Sequence, residues 1–221
     1  MRYIMRVMVQ ADDPTRQPLC EIETTLSDGR AVCLRTIRPS DEASIREGIS
    51  GMSDRSRYLR FFSAFREPPE SIVKRLSAVD GHDHIGWGAI LLDGEDYPPI
   101  AAAHAIRSAD DPSVGELAIA VLDDYQGFGL ARALIAALLI DCAAEKLPFL
   151  EMQILGENRA ATNLVKMLGA ERKAALDSVA HYTLDVGKTL ANLQTAPQPP
   201  GVAAVFAALG AAPDNSAFRT P

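Results

Sequence analysis

Two glycines stand close together just before a long apolar stretch, in the segment VLDDYQGFGLAR of residues 121–132. Gly127 and Gly129 allow the backbone to turn tightly and to approach a ligand closely. The apolar stretch, residues 129–145, has the length and composition of a helix. The first N–H groups of a helix have no partner within it and lie at the positive end of its dipole, which suits a phosphate group. The pattern therefore predicts an anion site at this turn.

The charges around the same turn agree with an anion site. Most helices carry Asp or Glu in the first turn, yet no acidic residue occurs between Asp124 and Asp141, and Arg132 falls in the first turn. A dinucleotide fingerprint needs glycine or alanine where Arg132 stands. The Gly-Lys-Thr triplet at residues 187–189 lacks the upstream glycine of a P-loop because Tyr182 occupies that position. A tight strand-to-helix turn without a ligand is the alternative interpretation.

Glu116 is a candidate general base. It is the only charged residue in the apolar run GELAIAV, residues 115–121, and a carboxylate in apolar surroundings takes up a proton more readily. Alternation along a strand puts it on the same face as Ala118 and Ala120, whose small side chains leave room for a ligand. The alternative is a glutamate at the end of a strand that only meets solvent.

Runs of apolar and β-branched residues, separated by turn signals, predict the elements that hold these residues. Residues 19–26 and 31–37 flank an Asp-Gly pair and predict a β-hairpin. Ser40 and Ser53 are predicted helix N-caps, and a further helix is predicted after the two prolines at positions 68 and 69. Strands are predicted at residues 84–92, 100–106, 114–122, 149–155, 171–175 and 179–186, and helices at residues 129–145 and 159–168.

This order of elements predicts an α/β fold with a central mixed, mostly antiparallel sheet and helices on both faces. Residues 1–30 are interpreted as an N-terminal extension with half of a β-hairpin. Residues 31–187 are interpreted as the folded domain. Residues 188–221 are interpreted as a Pro- and Ala-rich C-terminal tail, with a linker at residues 195–201.

Composition excludes several classes of partner. The net charge is -7 and no basic stripe occurs, which argues against nucleic acid. The longest apolar run, residues 133–140, is too short to span a membrane, and the first residues lack the pattern of a signal peptide. The three cysteines form no CxxC pair, which argues against a disulfide framework or a zinc ribbon and predicts a reducing, cytoplasmic location. No metal site is expected, since His82-Asp83-His84 is a weak signal.

Two segments carry a resemblance to a known family. QGFGLA, residues 126–131, resembles the Q/R-x-x-G-x-G/A signature of the GNAT N-acetyltransferases. NRAATNL, residues 158–164, followed by Gly169, is similar to the N-x-x-A-x-x-L-Y-x-x-x-G block of that family. The resemblance covers about residues 32–186. Within it, SRYLRF at residues 56–61 is similar to the substrate-side helix of bacterial protein-lysine acetyltransferases.

The resemblance implies acetyl-CoA as cosubstrate and a primary amine as acceptor, with a protein lysine as a candidate. It implies that the loop amides hold the pyrophosphate and that residues 119–121 pair with the pantetheine arm like an added strand. Asn158 is implied to contact the same arm, besides acting as an N-cap. The implied cosubstrate-binding residues are Ile119, Ala120, Val121, Gln126, Gly127, Phe128, Gly129, Leu130, Ala131, Arg132 and Asn158.

The resemblance also implies that Glu116 is the general base. The reaction needs one, because only about one lysine-like amine in a thousand is neutral at pH 7. The sequence departs from the family at position 165, where Val165 replaces the tyrosine that often protonates the leaving thiolate. A thiolate can leave unassisted, or another tyrosine, Tyr58, Tyr125 or Tyr182, takes over.

The acceptor and the activity therefore have alternatives. A small amine such as a polyamine or a drug is one alternative to the protein lysine. A regulatory module that binds acyl-CoA without catalysis is another, and Val165 is the reason to consider it. The sequence leaves a homodimer open.

Overall fold

The computed structural model describes residues 20–63, 65–93, 96–176 and 178–210. Within these ranges, eight strands form one sheet in the order β1-β2-β3-β4-β5-β6-β8-β7. The strands are β1 (Ile22–Thr25), β2 (Ala31–Thr36), β3 (His84–Leu91), β4 (Pro99–Arg107), β5 (Val114–Val121), β6 (Phe149–Leu155), β7 (Glu171–Leu176) and β8 (Val179–Asp185). The helices are α1 (Glu42–Ser50), α2 (Asp54–Phe61), α3 (Glu70–Ser77), α4 (Leu130–Ala144), α5 (Arg159–Met167), α6 (Val186–Thr195) and α7 (Pro200–Leu209).

The sheet is antiparallel except between β5 and β6, which run parallel. Because a parallel pair needs a crossover connection, α4 spans the two strands. The strands β3, β4 and β5 form the predicted antiparallel meander. The predicted α/β fold, with a mixed and mostly antiparallel sheet, is confirmed.

The parallel pair separates after a short contact. Only three register positions join β5 and β6, from Val114 opposite Phe149 to Glu116 opposite Glu151. Beyond Glu116, β5 stays paired with β4 and β6 stays paired with β8. A gap therefore opens in the middle of the sheet, beside the second half of β5.

Helix α4 is the centre of the hydrophobic core. Its buried residues lie on every side of the helix, the pattern expected for a helix enclosed by other elements. It packs against β3 and β4, and α6 and α7 pack against it. Helix α1 packs against β4, and α2 against β5. Among the described residues, no helix combines the length and the apolar character needed to cross a bilayer.

The structure differs from the sequence predictions toward the C-terminal end of the described residues and at one helix start. Helix α6 lies where the C-terminal tail was predicted, and Asp185 caps it by accepting a hydrogen bond from the Lys188 amide. Helix α1 begins after a single 3₁₀ turn, so Asp41 rather than Ser40 is its N-cap. The first 19 residues and residues 211–221 lie outside the described part of the chain.

The cysteines also differ from the prediction. Cys20 and Cys33 form a disulfide between the approach to β1 and strand β2, which runs against the reducing compartment expected from the cysteine count. The two positions are 13 residues apart in sequence, and their Cα atoms lie 5.5 Å apart. Cys142 is free and buried in α4, and burial raises the pKa of its thiol.

Two buried histidines link β3 to β4 beneath the helices. The Nδ1 of His84 lies 3.1 Å from the Ala78 carbonyl oxygen, and its Nε2 lies 3.0 Å from Nδ1 of His104. Burial lowers the pKa of His84, and burial lowers the pKa of His104 well below its usual value. Both rings are therefore neutral near pH 7, with His84 donating to the carbonyl and His104 donating to His84.

This pair predicts a loss of stability in mild acid. Below the unfolded-state pKa of about 6.5, His104 binds a proton in the unfolded chain but not in the folded chain, so stability falls as the pH falls. Between pH 7 and pH 5 we expect the free energy of unfolding to fall, with about 2 kcal/mol from His104 as the upper limit, reached when the folded ring stays neutral throughout. Urea unfolding across this range measures the change. His104→Gln should flatten the pH dependence, and an unchanged slope would contradict the assignment.

Candidate active site

The turn between β5 and α4 has the geometry that its glycines predict. After Leu122 the chain forms a single 3₁₀ turn, Asp123–Tyr125, and then passes through Gly127 and Gly129 with φ of 84° and 90°. Both values lie in the left-handed region, where residues with a side chain are strained. Helix α4 follows directly.

The turn leaves a row of backbone donors unused. Within the described residues, the amides of Gly127 and of residues 129–132 donate to no acceptor. The first turn of α4 contains no acidic residue, so the positive end of the helix dipole is not neutralised locally. Free amides at the start of a helix are a binding site for phosphate oxygens.

The hairpin β1–β2 braces this turn. The guanidinium of Arg30 lies 4.3 Å above the Tyr125 ring and 4.9 Å from the centre of the Phe128 ring. Its Nη2 donates to the Asp124 carbonyl oxygen at 2.8 Å. The Ser27 amide donates to the Phe128 carbonyl oxygen at 3.2 Å. These contacts fix the side of the turn opposite to its free amides.

Removing the brace should weaken ligand binding more than it weakens the fold. Arg30→Ala loses two cation–π contacts and the hydrogen bond to the Asp124 carbonyl oxygen, together with the ion pair to Asp28, so holding the turn in its binding shape becomes more costly. We expect acetyl-CoA affinity to fall roughly fivefold, equivalent to about 1 kcal/mol, by calorimetric titration. Arg38→Ala, at an exposed arginine near α1, is the matched control. Equal affinities of the two variants would show that Arg30 does not support the site.

One cavity connects the turn to Glu116. It has a volume of about 690 Å³ and occupies the gap between β5 and β6. The turn closes one end, Glu116 lies at the other, and α2 and α5 form the sides. Its lining includes Ser56, Leu59, Arg60 and Phe62 from the region of α2, residues 116–121 of β5, residues 152–154 of β6, and Asn158, Leu164, Val165 and Met167 from the region of α5. We call this the main cavity.

Strand β5 presents an unpaired edge to the main cavity. Two backbone hydrogen bonds show which residues of β5 pair with β4. The Leu122 amide donates to the Ile100 carbonyl oxygen at 2.9 Å, and the Ser108 amide donates to the Val114 carbonyl oxygen at 2.8 Å. Antiparallel bonds alternate, so Ala118 and Ala120 turn their backbone groups toward β4. Ile119 and Val121 turn theirs toward the gap, where an extended ligand can pair with them. Ala120 therefore offers the ligand its methyl group rather than its amide.

Two polar side chains on the cavity wall each make one hydrogen bond within the protein. Asn158 accepts a hydrogen bond from the Ala161 amide at 3.0 Å and so caps α5, while its amide nitrogen stays available on the cavity wall. The side-chain amide of Gln126 donates to the Val121 carbonyl oxygen at 3.0 Å. Gln126 thereby ties the turn to the end of β5.

Glu116 is more open to solvent than its apolar neighbours suggest. Its side chain is 60% exposed, and Arg75 Nη2 of α3 lies 3.6 Å from its carboxylate. Arg60 also lines the main cavity, and burial lowers its pKa to about 10 while Glu116 opposes that change. The apolar enclosure expected from the sequence is absent, and Ala118 and Ala120, on the same face of β5, have side chains too small to provide it.

The place of the family tyrosine is apolar here. Val165 is 4% exposed and lines the main cavity. Of the three alternative tyrosines, Tyr125 lines the cavity beneath Arg30, whereas Tyr58 and Tyr182 are outside its lining. Of these three, Tyr125 is therefore the one that lies on the cavity wall, at the end formed by the turn.

Most of the residues singled out in the sequence meet in this one cavity. Glu116 and all the predicted cosubstrate-binding residues line it except Phe128, whose ring packs beneath Arg30 and against the core instead. Phe128 therefore supports the turn, because a side chain next to two left-handed glycines can point away from the ligand. The sequence did not reveal the arginines near Glu116, Arg60 and Arg75, which come from other helices and follow no local pattern.

Comparison with known proteins gives a consistent family. A family model described as the acetyltransferase (GNAT) family matches residues 47–170. The acetyltransferase Pat of Mycolicibacterium smegmatis is 30% identical over 149 residues, which are 67% of this chain and 44% of that protein. The chain thus spans less than half the length of this relative.

Solved structures share the fold. The GNAT domain of S. lividans PAT superposes with a TM-score of 0.67 at 23% identity, covering 74% of this chain and 95% of that one. Spermidine N-acetyltransferase from Vibrio cholerae, solved with CoA and spermine, gives a TM-score of 0.55 at 16% identity, covering 72% of this chain and 98% of that one.

Proposed function

Because the chain belongs to the acetyltransferase (GNAT) family, we propose that it transfers the acetyl group of acetyl-CoA to a primary amine, and that this amine is a lysine side chain of a protein. The observation that carries the proposal is the continuous path in the main cavity. Free amides of the turn lie at one end, the unpaired edge of β5 lies along the path, and Glu116 lies at the other end.

Acetyl-CoA fits this path by its chemistry. Its pyrophosphate matches the free amides of residues 129–132 at the start of α4. Its pantetheine arm has amide groups that pair with Ile119 and Val121 as an added strand would. The thioester then lies beside Ile119, whose free amide can donate to the carbonyl oxygen as negative charge develops on it.

The transfer needs few groups from the protein. The amine nitrogen attacks the thioester carbon, its proton passes to Glu116 directly or through water, and the C–S bond breaks as the N–C bond is completed. The CoA thiolate leaves unassisted or takes a proton from water, since a thiol with a pKa near 8.5 is a good leaving group. This route requires no hydroxyl at position 165.

The open end of the main cavity favours a long, flexible acceptor. Glu116 lies at the surface, and the exposed apolar side chains of Phe62 and Met167, 44% and 56% exposed, also line the cavity. A lysine side chain can reach in from a protein surface while its neighbours contact this apolar rim. The similarity of residues 56–61 to the substrate-side helix of protein-lysine acetyltransferases supports the same acceptor.

A polyamine is the second candidate acceptor, and a module that binds acyl-CoA without catalysis is the third candidate function. A polyamine has the same flexible amine as a lysine side chain, and the non-catalytic module is motivated by Val165. Incubation with labelled acetyl-CoA, a cell lysate and a panel of amines separates them. We expect label on lysines of lysate proteins, identified by mass spectrometry. Label on polyamines alone would show that the acceptor is a polyamine and not a protein lysine. Binding of acetyl-CoA without any transfer would favour the non-catalytic module.

A further inference from the structure

A second, smaller cavity lies beneath α1 and α2, on the helix side of the sheet. It has a volume of about 80 Å³, and we call it the side chamber. Met52, Arg60 and Ala120 line both the side chamber and the main cavity. The two spaces therefore adjoin at the part of β5 where the thioester is proposed to lie.

The side chamber results from the register of three strands. Gly88 of β3 lies opposite Ala102 of β4, and Ala102 lies opposite Ala120 of β5. Residues directly opposite each other in a sheet share a face, so the floor of the chamber is a row of one glycine and two alanines, the smallest residues available. Ile45 and Ile49 of α1 lie on the other side and do not fill the space.

The walls of the side chamber are mostly apolar, and the polar groups away from its junction with the main cavity are neutral or paired. Arg35 and Asp41 hold each other through two hydrogen bonds of 2.7 and 2.9 Å. His104 is neutral, because burial keeps its pKa low, and it is bonded to His84. Arg60 stands at the junction with the main cavity. An apolar group is therefore the occupant that matches the chamber.

The chamber has room for more than one carbon atom. A cavity needs about 10–15 Å³ to hold one water molecule, so a space of about 80 Å³ accommodates several groups of methylene size. An acetyl group bound beside Ile119 ends at its methyl carbon, before the chamber. A longer chain would pass over the methyl group of Ala120 and enter it.

We propose that the side chamber receives the chain of an acyl group longer than acetyl, so that propionyl-CoA and butyryl-CoA are donors for this protein. The inference rests on the proposed function, because it takes the thioester to lie along β5. The transfer is otherwise unchanged: the amine forms its bond to the acyl carbon, the C–S bond breaks, and CoA leaves as the thiolate. Each methylene buried in the chamber favours binding by about fourfold.

Calorimetric titration with acetyl-, propionyl- and butyryl-CoA, together with kcat/KM for each donor on one acceptor, tests the proposal. We expect butyryl-CoA to bind at least fourfold more tightly than acetyl-CoA and to be used as a donor. Binding of acetyl-CoA with weaker binding of butyryl-CoA would overturn this inference and leave the proposed function intact. Binding of none of the three would remove the proposed function itself.

Two variants fill the chamber from opposite walls. Ala102→Leu fills it from the sheet and Ser44→Leu fills it from α1, and both residues line the side chamber but not the main cavity. Each should lower kcat/KM for butyryl-CoA at least tenfold while leaving that for acetyl-CoA within about twofold. Equal losses for both donors in both variants would contradict the proposal. Succinyl-CoA is the charged comparison, and a preference for it over butyryl-CoA would also overturn an apolar occupant.

Discussion

Replacing Glu116 with glutamine should lower kcat by about 10²–10⁴-fold and leave the affinity for acetyl-CoA unchanged. Glutamine keeps the size and the hydrogen-bonding reach of the side chain but cannot accept the proton of the attacking amine. The carboxylate lies at the open end of the main cavity, away from the turn that is proposed to hold the pyrophosphate. This variant should therefore lose turnover while it keeps its affinity for acetyl-CoA.

The reason for a large effect is the protonation state of the acceptor. A lysine amine with a pKa near 10.4 is almost wholly charged at pH 7, and only its neutral form has the lone pair that attacks the thioester carbon. A carboxylate at the point of attack can take the proton that the nitrogen loses as it forms the new bond. Arg75, 3.6 Å from the Glu116 carboxylate, holds the side chain at the mouth of the cavity.

The chain offers a matched control for this variant. Glu151 lies directly opposite Glu116 in the register of β5 and β6, and it is exposed but outside the lining of the main cavity. Glu151→Gln removes the same charge from the neighbouring strand and should keep kcat within about twofold. If Glu116→Gln turns over like the unaltered chain, or if both variants lose the same activity, Glu116 is not the base.

Replacing Ala131 with glutamate should weaken acetyl-CoA binding at least about a hundredfold, equivalent to about 2.7 kcal/mol. Ala131 lies in the first turn of α4 and lines the main cavity. A carboxylate there lies next to the amides of residues 129–132, so it repels the two negative charges of a pyrophosphate. Calorimetric titration of the variant measures the loss.

The same substitution should stabilise the free protein. An acidic side chain in the first turn interacts favourably with the helix dipole, by about 0.3–1 kcal/mol. Binding and stability should therefore change in opposite directions, which general damage to the fold cannot produce. Ala131→Gln adds nearly the same bulk without the charge and separates crowding from repulsion. Equal affinities of the glutamate and glutamine variants would show that no diphosphate lies at the start of α4.

The turn and the face of β5 could be predicted because both depend on local rules. Gly127 and Gly129 have the positive φ values that only glycine adopts easily. Glu116, Ala118 and Ala120 all line the main cavity, together with the intervening residues of β5. The meander and the mixed sheet followed from the spacing of apolar runs and turn signals, which are also local.

The remaining features depend on contacts between distant segments. Arg30 reaches Asp124 across 94 residues, and the pairing of Arg75 with Glu116 depends on how α3 packs. Helix α6 contains Gly187 and two threonines, which are poor helix formers, and its packing on α4 provides the stability that its sequence lacks. The side chamber depends on the register of three strands, which no single segment specifies.

The pyrophosphate cradle can be observed directly, by following the backbone amides of the ¹⁵N-labelled chain in NMR spectra during a titration with acetyl-CoA. Charge-assisted hydrogen bonds should move the amide protons of Gly127 and residues 129–132 downfield, further than the other amides, and the shifts should saturate at one equivalent. If these amides stay in place while acetyl-CoA saturates the protein, or if no saturable binding occurs, the turn does not hold the cosubstrate.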